Sequence, residues 1–215
     1  EPYWHRLHQL PGVLICPKHG QILSTSDVFF SSVRGKHKYV LLQDALRQQT
    51  MKPDIRIEQC FDKLKGIADY SQFLLENELH PIGLESIRSM YISRLSSKGM
   101  ATAKGRVRFS KVLPRFVSFF GHELLDLLGE KLSIDDEDTW LHKVLRKPKV
   151  TCHPMRHILM MLFLDMDINS IENHQGYRPF GSAPWPCLNK AADHYRHAVI
   201  NECIVSSCSK TNKPV

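Results

Sequence analysis

The N-terminal stretch of the chain gathers four potential metal ligands, two histidines followed by a Cys-x-x-His pair. Residues 3–20 have the sequence YWHRLHQLPGVLICPKHG. The apolar run at 13–15 leads into Cys16 and His19, which predicts a short strand followed by a tight turn. Such a turn brings the thiolate and the imidazole onto one ion, and Gly20 can adopt the positive φ that closes it. The pattern indicates half of a zinc site.

The other zinc ligands have two possible sources. A structural zinc ion takes about four ligands, so Cys16 and His19 leave two to be supplied. His5 and His8 lie in the same stretch and could complete a local site. The alternative is that the ligands come from elsewhere in the protein, in which case the two histidines only pack or form hydrogen bonds.

The order Tyr-Trp-His-x-x-His-Gln-x-Pro-Gly-Val, followed by Cys-x-x-His, resembles the zinc-finger segment of the TniQ/TnsD family. This family comprises the target-site selectors of heteromeric bacterial transposons. Further matches follow in the family's order at residues 88–95, 99–101, 105–108, 139–141, 146–148, 153–157 and 184–189. The resemblance covers nearly the whole chain and is strongest to the TnsD members.

The resemblance implies that the first zinc site is divided. In this family a Cys-x-x-Cys pair lies upstream of the Tyr-Trp-His segment and pairs with the Cys-x-x-His motif. The chain begins at Glu1 without a Met, so the upstream pair is expected to lie outside it. Cys16 and His19 would then form a half-site for zinc, the implied cofactor.

A second zinc element is implied near the C-terminus. Cys187 and His194 resemble its first half, and the family's Cys-x-Cys-Gly pair follows a Lys-Pro-Val-Gly stretch. The chain ends at Val215, immediately before that pair would come. The alternative is a local site of Cys187, His194, Cys203 and Cys208, whose spacing is looser than common zinc patterns.

Composition limits the protein to a few classes. With 215 residues, 42% of them hydrophobic, the chain can bury a core as one domain or two small ones. The longest apolar run, 158–164, is far too short for a membrane span, and no leader opens the chain. We expect a soluble, cytoplasmic protein without a membrane partner. Its net charge of +7 and pI near 9.1 favour an anionic partner.

Hydrophobic periodicity predicts a mostly α-helical fold. The predicted helices cover residues 57–74, 84–98, 109–120, 124–128, 140–144 and 154–163. The chain is divided into a zinc-finger segment with a connector at 1–50, a helical, helix-turn-helix-like region at 51–165, and a second zinc-element segment at 166–215.

Basic residues cluster where a predicted loop enters a helix. Residues 98–115 contain six Lys or Arg side chains and no acid, and 139–157 is a second acid-free stretch. Such cations suit contact with DNA phosphates, and an Arg at a guanine edge would add sequence information. A basic run is also typical of a merely solvated surface. The candidate DNA-binding residues are Lys104, Arg106, Arg108, Lys111, Arg115, Arg146, Lys147 and Lys149.

The sequence contains no evident catalytic constellation. His153 and His157 are four residues apart, as in zinc proteases, but Pro occupies position 154, next to His153. His153 is therefore expected to cap a helix that begins at Pro154. The six cysteines are too widely spaced for a disulfide framework. We expect a binding protein and not an enzyme.

The family resemblance implies a specific role. Such a protein recognises a chromosomal attachment site in double-stranded DNA, is associated with the nucleoid, and recruits the transposon's AAA+ regulator, which engages the transposase. The alternative is a TniQ-like protein scaffold whose DNA targeting is delegated to an RNA-guided complex. Binding of the protein to duplex DNA without a guide complex distinguishes the two.

Overall fold

The computed structural model describes residues 3–26, 39–47, 50–51, 53–80, 82–102, 104–146, 151–171, 180–206, 208 and 215. The chain forms two compact units, each assembled from three separate stretches. Unit 1 comprises Glu1–His80, Phe116–Asp136 and His153–Asn169. Unit 2 comprises Pro81–Arg115, Glu137–Cys152 and Ser170–Val215.

Helices predominate in the described part of the chain, which confirms the mostly α-helical class. They are α1 (Leu42–Leu46), α2 (Ile55–Gln59), α3 (Phe61–Glu76), α4 (Leu84–Ser97), α5 (Phe109–Phe120), α6 (His122–Leu127), α7 (Trp140–Leu145) and α8 (Pro154–Leu164). Short 3₁₀ helices occur at Arg6–Gln9 and Ile168–Ser170.

The strands form small antiparallel pairs. The pairs are β1 (Ile15–Cys16) with β2 (Gln21–Ile22), β3 (Thr25–Ser26) with β4 (Thr50–Met51), and β5 (Trp185–Pro186) with β6 (Ala198–Ile200). Cys16 lies opposite Gln21 in the first pair. The chain therefore reverses direction between these two residues.

The core of unit 1 forms where α3 packs against α8 and β1. Leu64 and Ile67 on α3 are fully buried, and burial of such apolar surface is the main favourable term in folding. Gly66 permits α8 to approach closely, since a Cβ at this position would lie 3.2 Å from Leu162 Cδ2. The N-terminal stretch joins this core through a cluster of Leu7, Val13 and Ala68.

Aromatic rings fill the adjoining part of unit 1. The ring centroid of the fully buried Phe116 lies 4.8 Å from that of Phe120 and 5.1 Å from that of Phe163. The rings meet at tilted or edge-on angles, which their quadrupoles favour. Phe119 is 40% exposed, and Lys63 Nζ lies 5.3 Å from its ring centroid. The end of α5 therefore places one ring in the core and leaves another at the surface.

In unit 2, α4 packs against α7. Arg88 Nε on α4 donates to the carbonyl of Leu145 at 3.0 Å. Tyr91, Leu95 and Leu141 are almost completely buried, and burial raises the pKa of the Tyr91 phenol. These contacts join α4, which precedes the basic stretch at 98–115, to α7, which lies within the stretch at 139–157.

The structure confirms five of the predicted helices, α4 to α8, within a few residues. The prediction of one continuous helix from Ile57 is wrong. Cys60 adopts a non-helical conformation (φ −108°, ψ 17°) that separates α2 from α3. The predicted cap at His153 is confirmed, because the Met155 backbone N–H donates to His153 Nδ1 at 3.2 Å and Pro154 is the first helical residue.

Two further observations concern the residues that the structure describes. The six cysteines all lie in the described ranges, and no disulfide joins any two of them. Within those same ranges, no helix is both long and apolar enough to cross a membrane. The boundaries at 50/51 and 165/166, the helix-turn-helix-like arrangement and the zinc-ribbon-like character of the last segment stay predictions.

Candidate nucleic-acid interface

Positive charge is concentrated in unit 2. Within its bounds the sequence contains 17 Lys and Arg against 6 Asp and Glu, a difference of +11. Unit 1 contains 12 against 16, a difference of −4, and the two together give the chain's +7. The anionic partner that the overall charge favours is therefore expected to bind unit 2.

The basic stretch at 98–115 is mostly accessible. The exposed cations within it are Lys98, Lys104, Arg106, Lys111 and Arg115. Lys111 and Arg115 are four residues apart on α5, so they share one face of the helix, whereas Val112 and Leu113 are buried. Arg108 is only partly exposed, and its Nη1 lies 3.4 Å from the Gly99 carbonyl, to which it donates. This guanidinium is less available to a ligand than its neighbours.

The segment between α4 and α5 has more structure than the sequence predicts. The sequence predicts a loop between the helices at 84–98 and 109–120, but Ala101 and Val107 pair as an antiparallel bridge. The Arg108 backbone N–H also donates to the Met100 carbonyl at 2.9 Å. Lys104 and Arg106 therefore lie on a hairpin, and only Lys111 and Arg115 lie on the helix that follows.

Arg146, from the second candidate stretch, makes hydrogen bonds and a ring contact within the protein. Its Nη1 donates to Asp138 Oδ1 at 3.0 Å and its Nη2 to the Glu137 carbonyl at 3.3 Å. Its guanidinium carbon lies 5.8 Å from the ring centroid of Phe109. The candidates Lys147 and Lys149 lie outside the described residues.

A buried histidine connects the start of α7 to the start of α5. His142 and Thr139 form a capping box, in which the Thr139 backbone N–H donates to His142 Nδ1 at 3.1 Å. The imidazole stacks on Phe109 with centroids 4.1 Å apart. Burial and the nearby Arg146 charge lower the pKa of His142. Thr139 three positions before His142 has the spacing of a capping box, but sequence reasoning missed it because His replaces the usual Glu or Gln.

The predicted ligands Cys16 and His19 lie together. Cys16 Sγ is 3.3 Å from His19 Nδ1. Gly20 has the expected positive φ of +64°, and its N–H donates to the Cys16 carbonyl at 2.8 Å. A soft sulfur and an imidazole nitrogen on one tight turn fit two positions of a zinc site. The ring centroids of His5 and His8 are 4.8 Å apart in the same stretch.

The second pair of predicted ligands is arranged differently. Cys187 is buried, donates its N–H to the His197 carbonyl at 3.0 Å, and accepts from the Arg196 N–H at 2.8 Å. His194 is exposed. Where the structure describes the chain, no group of three or more His, Cys, Asp or Glu side chains is arranged to hold a metal ion.

Comparison with known proteins assigns the chain to a family. The TnsD family model, described as Tn7-like transposition protein D, matches residues 67–215. The chain is also 27% identical over 176 residues to the transposon Tn7 transposition protein TnsD of Escherichia coli, an alignment that covers 80% of this chain and 33% of that protein. The chain thus spans about a third of the length of this curated relative. Because the family model matches more than half of the chain, the chain belongs to the TnsD family.

Proposed function

We propose that the chain is part of a target selector for transposition, and that its unit 2 binds the phosphate backbone of a duplex DNA attachment site. The proposal rests on the concentration of positive charge in unit 2 within a member of the TnsD family. Phosphate contacts orient a protein on the duplex, and Arg side chains that reach base edges supply sequence preference.

Recruitment of the transposon's AAA+ regulator is the second part of the proposal. Family membership supports it. In this role the protein acts by binding two partners, DNA and the ATPase, and breaks no bond itself. Its acidic unit 1 is expected to contribute little to DNA binding, because an excess of carboxylates repels phosphates.

Zinc is proposed as a structural cofactor. Cys16 and His19 would hold it at the turn between β1 and β2, and ligands upstream of residue 1 would complete the site. The distance of 3.3 Å between Cys16 Sγ and His19 Nδ1 supports this role, and Leu7 and Val13 pack with Ala68 on α3. Metal bound at the turn would hold the N-terminal stretch on α3 and so stabilise unit 1. Cys187 and His194 are proposed as ligands of a second site.

The decisive experiment measures the salt dependence of binding to duplex DNA, without a guide complex. Lys104, Arg106, Lys111 and Arg115 are all replaced by Gln. Each replacement is expected to remove one cation from the backbone of the duplex. The slope of log affinity against log salt is negative, and its magnitude should fall by about 0.9 for each phosphate that the variant no longer neutralises, and therefore by about 3 to 4 overall.

A matched control removes the same charge from unit 1. The exposed cations Arg6, Lys18, Arg47 and Lys131 are replaced by Gln in a second variant. This variant should retain most of the wild-type slope. Equal slopes for wild type and both variants would show that these four cations do not contact DNA; the stretch around Arg146, Lys147 and Lys149 would then be the better candidate in unit 2, and without binding there a scaffold whose targeting is delegated would be favoured.

A further inference from the structure

We propose that the hairpin between α4 and α5 is a rigid phosphate-binding finger, in which Lys104 and Arg106 contact the DNA backbone while Thr102 and Gly105 are positioning residues. The finger is defined as residues 101–102 and 104–107. The inference rests on the proposed function of unit 2. It adds which element makes the contact and what holds that element in place.

The base of the finger is fixed to the end of α4. The Gly99 N–H donates to the Ser96 carbonyl at 3.0 Å, and the Met100 N–H donates to the Leu95 carbonyl at 2.7 Å. This pair of bonds is a Schellman motif, which closes the helix. Met100 is 2% exposed. The finger therefore leaves α4 from a buried and hydrogen-bonded anchor.

Thr102 closes the finger through both its backbone and its side chain. Its N–H donates to the Arg106 carbonyl at 2.9 Å, and its Oγ1 accepts from the Arg106 N–H at 3.1 Å. Its carbonyl accepts from the Gly105 N–H at 2.8 Å and from Ser96 Oγ at 3.2 Å. One residue thus links the two sides of the finger to each other and to α4.

Gly105 lies between the two exposed cations and packs against α4. Its φ of +79° is a conformation that side chains disfavour. A Cβ at this position would lie 3.4 Å from Ile92 Cγ2. Glycine therefore allows the turn to adopt this shape while its backbone lies against Ile92.

Rigidity of the finger has a direct consequence for binding. A cation on a disordered loop loses conformational freedom when it binds a phosphate, and this loss weakens the complex. The hydrogen bonds of Thr102 with Gly105 and Arg106 hold the described backbone of the finger before DNA binds. Replacing either positioning residue should weaken DNA binding although the charge of the surface is unchanged.

The first test compares two pairs of cations in the full chain on a mixed-sequence DNA duplex. The finger variant carries Lys104→Gln and Arg106→Gln, and the helix variant carries Lys111→Gln and Arg115→Gln. We expect the finger variant to reduce the magnitude of the slope of log affinity against log salt by about 2, at about 0.9 for each phosphate. If only the helix variant lowers the slope, the finger is wrong and the proposed function stands. If neither variant changes the slope, the finger is wrong, and this face of unit 2 is not the one that the proposed function requires.

The second test changes the hydrogen bond that positions the finger and leaves the charge of the surface unchanged. Thr102→Val removes the side-chain acceptor at nearly constant shape, and Thr102→Ser retains it. We expect Thr102→Val to weaken DNA binding about 5-fold, the effect of one hydrogen bond, and Thr102→Ser to restore it. A folded Thr102→Val protein with wild-type affinity would overturn the assignment of Thr102.

Gly105→Ala should weaken DNA binding by a similar factor. The matched control is Gly129→Ala in unit 1, where φ is also positive (+70°) and a Cβ would meet nothing within 4 Å. Gly129→Ala introduces comparable backbone strain but should leave DNA affinity unchanged. Equal reductions of affinity in the two variants would show that Gly105 acts through general stability. Should either variant fail to fold, the comparison of the two cation pairs still decides the proposal.

Discussion

Arg146 and Asp138 form an ion pair, in which Arg146 Nη1 donates to Asp138 Oδ1 at 3.0 Å. The same guanidinium lies over the ring of Phe109. Sequence reasoning grouped Arg146 with the candidate DNA-binding residues because the stretch around it contains no acid. In the fold a carboxylate balances its charge. Arg146 is exposed, as Lys111 is, but because of this carboxylate it should attract phosphates less strongly than Lys111.

The first prediction compares these two cations in DNA binding. Lys111→Gln should reduce the magnitude of the slope of log affinity against log salt by about 0.9, the effect of one phosphate contact. Arg146→Gln should lower it by clearly less. Asp138→Asn is the complementary change, because it leaves Arg146 unbalanced and should strengthen binding at low salt. An Arg146→Gln protein with a slope as low as that of Lys111→Gln would contradict the assignment.

The second prediction concerns stability. Phe116→Ala should reduce the free energy of unfolding by about 3–5 kcal/mol, because it removes a fully buried ring and leaves a cavity beside Phe120 and Phe163. Phe119→Ala, three residues further along α5, removes a ring that is 40% exposed and should cost distinctly less. Urea unfolding of both variants measures the difference. Similar reductions would mean that the end of α5 is not buried as described.

Local patterns in the sequence predicted most of the helices because each pattern depends on neighbouring residues. The spacing of apolar residues predicted α5, and a capping residue followed by Pro154 predicted the start of α8. The break at Cys60 has no such local signal. Arg156 shows a second limit: it lies in an acid-free stretch, yet its Nε donates to Glu130 Oε2 at 2.9 Å, from 26 residues away. Pairing across the fold cannot be read from local charge.

The candidate site also has features that depend on neighbouring residues and features that depend on contacts across the fold. The proximity of Cys16 and His19 was predictable, because a turn of three residues determines it. The finger was not predicted, since its shape depends on contacts of Thr102 with Ser96 and of Gly105 with Ile92 on another element. The discontinuous units were also beyond the sequence patterns, because packing between distant segments determines them.

The third prediction concerns zinc. In the full-length protein, with any segment upstream of residue 1 included, Cys16→Ser should remove one equivalent of bound zinc and destabilise the N-terminal stretch, because metal binding is coupled to folding. Cys60→Ser is the control and should retain the metal. Replacing His5 and His8 together by Gln should also leave zinc content intact; loss of a full equivalent would show that the site is local. Elemental analysis of the purified proteins measures all three.

Protonation of His142 links pH to the stability of unit 2. Its Nδ1 lies 3.1 Å from the Thr139 backbone nitrogen and 2.8 Å from Thr139 Oγ1. The neutral imidazole accepts the backbone N–H of the capping box, whereas protonation of Nδ1 would break this bond and leave the Thr139 hydroxyl as the acceptor. Burial is the main cause that lowers its pKa, Arg146 adds to it, and Asp138 opposes it. A group with a lowered pKa in the folded state takes up its proton more readily after unfolding. Protons therefore favour the unfolded chain.

The last prediction concerns the stability of the protein at acid pH, which should fall because protons favour the unfolded chain. The contribution of His142 to stability should be complete above its ordinary pKa of 6.5 and should be lost progressively as the pH falls below it. His142→Gln should reduce this acid sensitivity, because the Gln side chain can accept the same N–H without titrating. The pKa values of His8 and His157 are also lowered, mainly by burial, so part of the sensitivity should remain. Urea unfolding between about pH 5 and pH 8 measures the effect, with the exposed His122→Gln as control. If the stability of His142→Gln and of wild type declined in parallel over this range, protonation of His142 would not be coupled to unfolding.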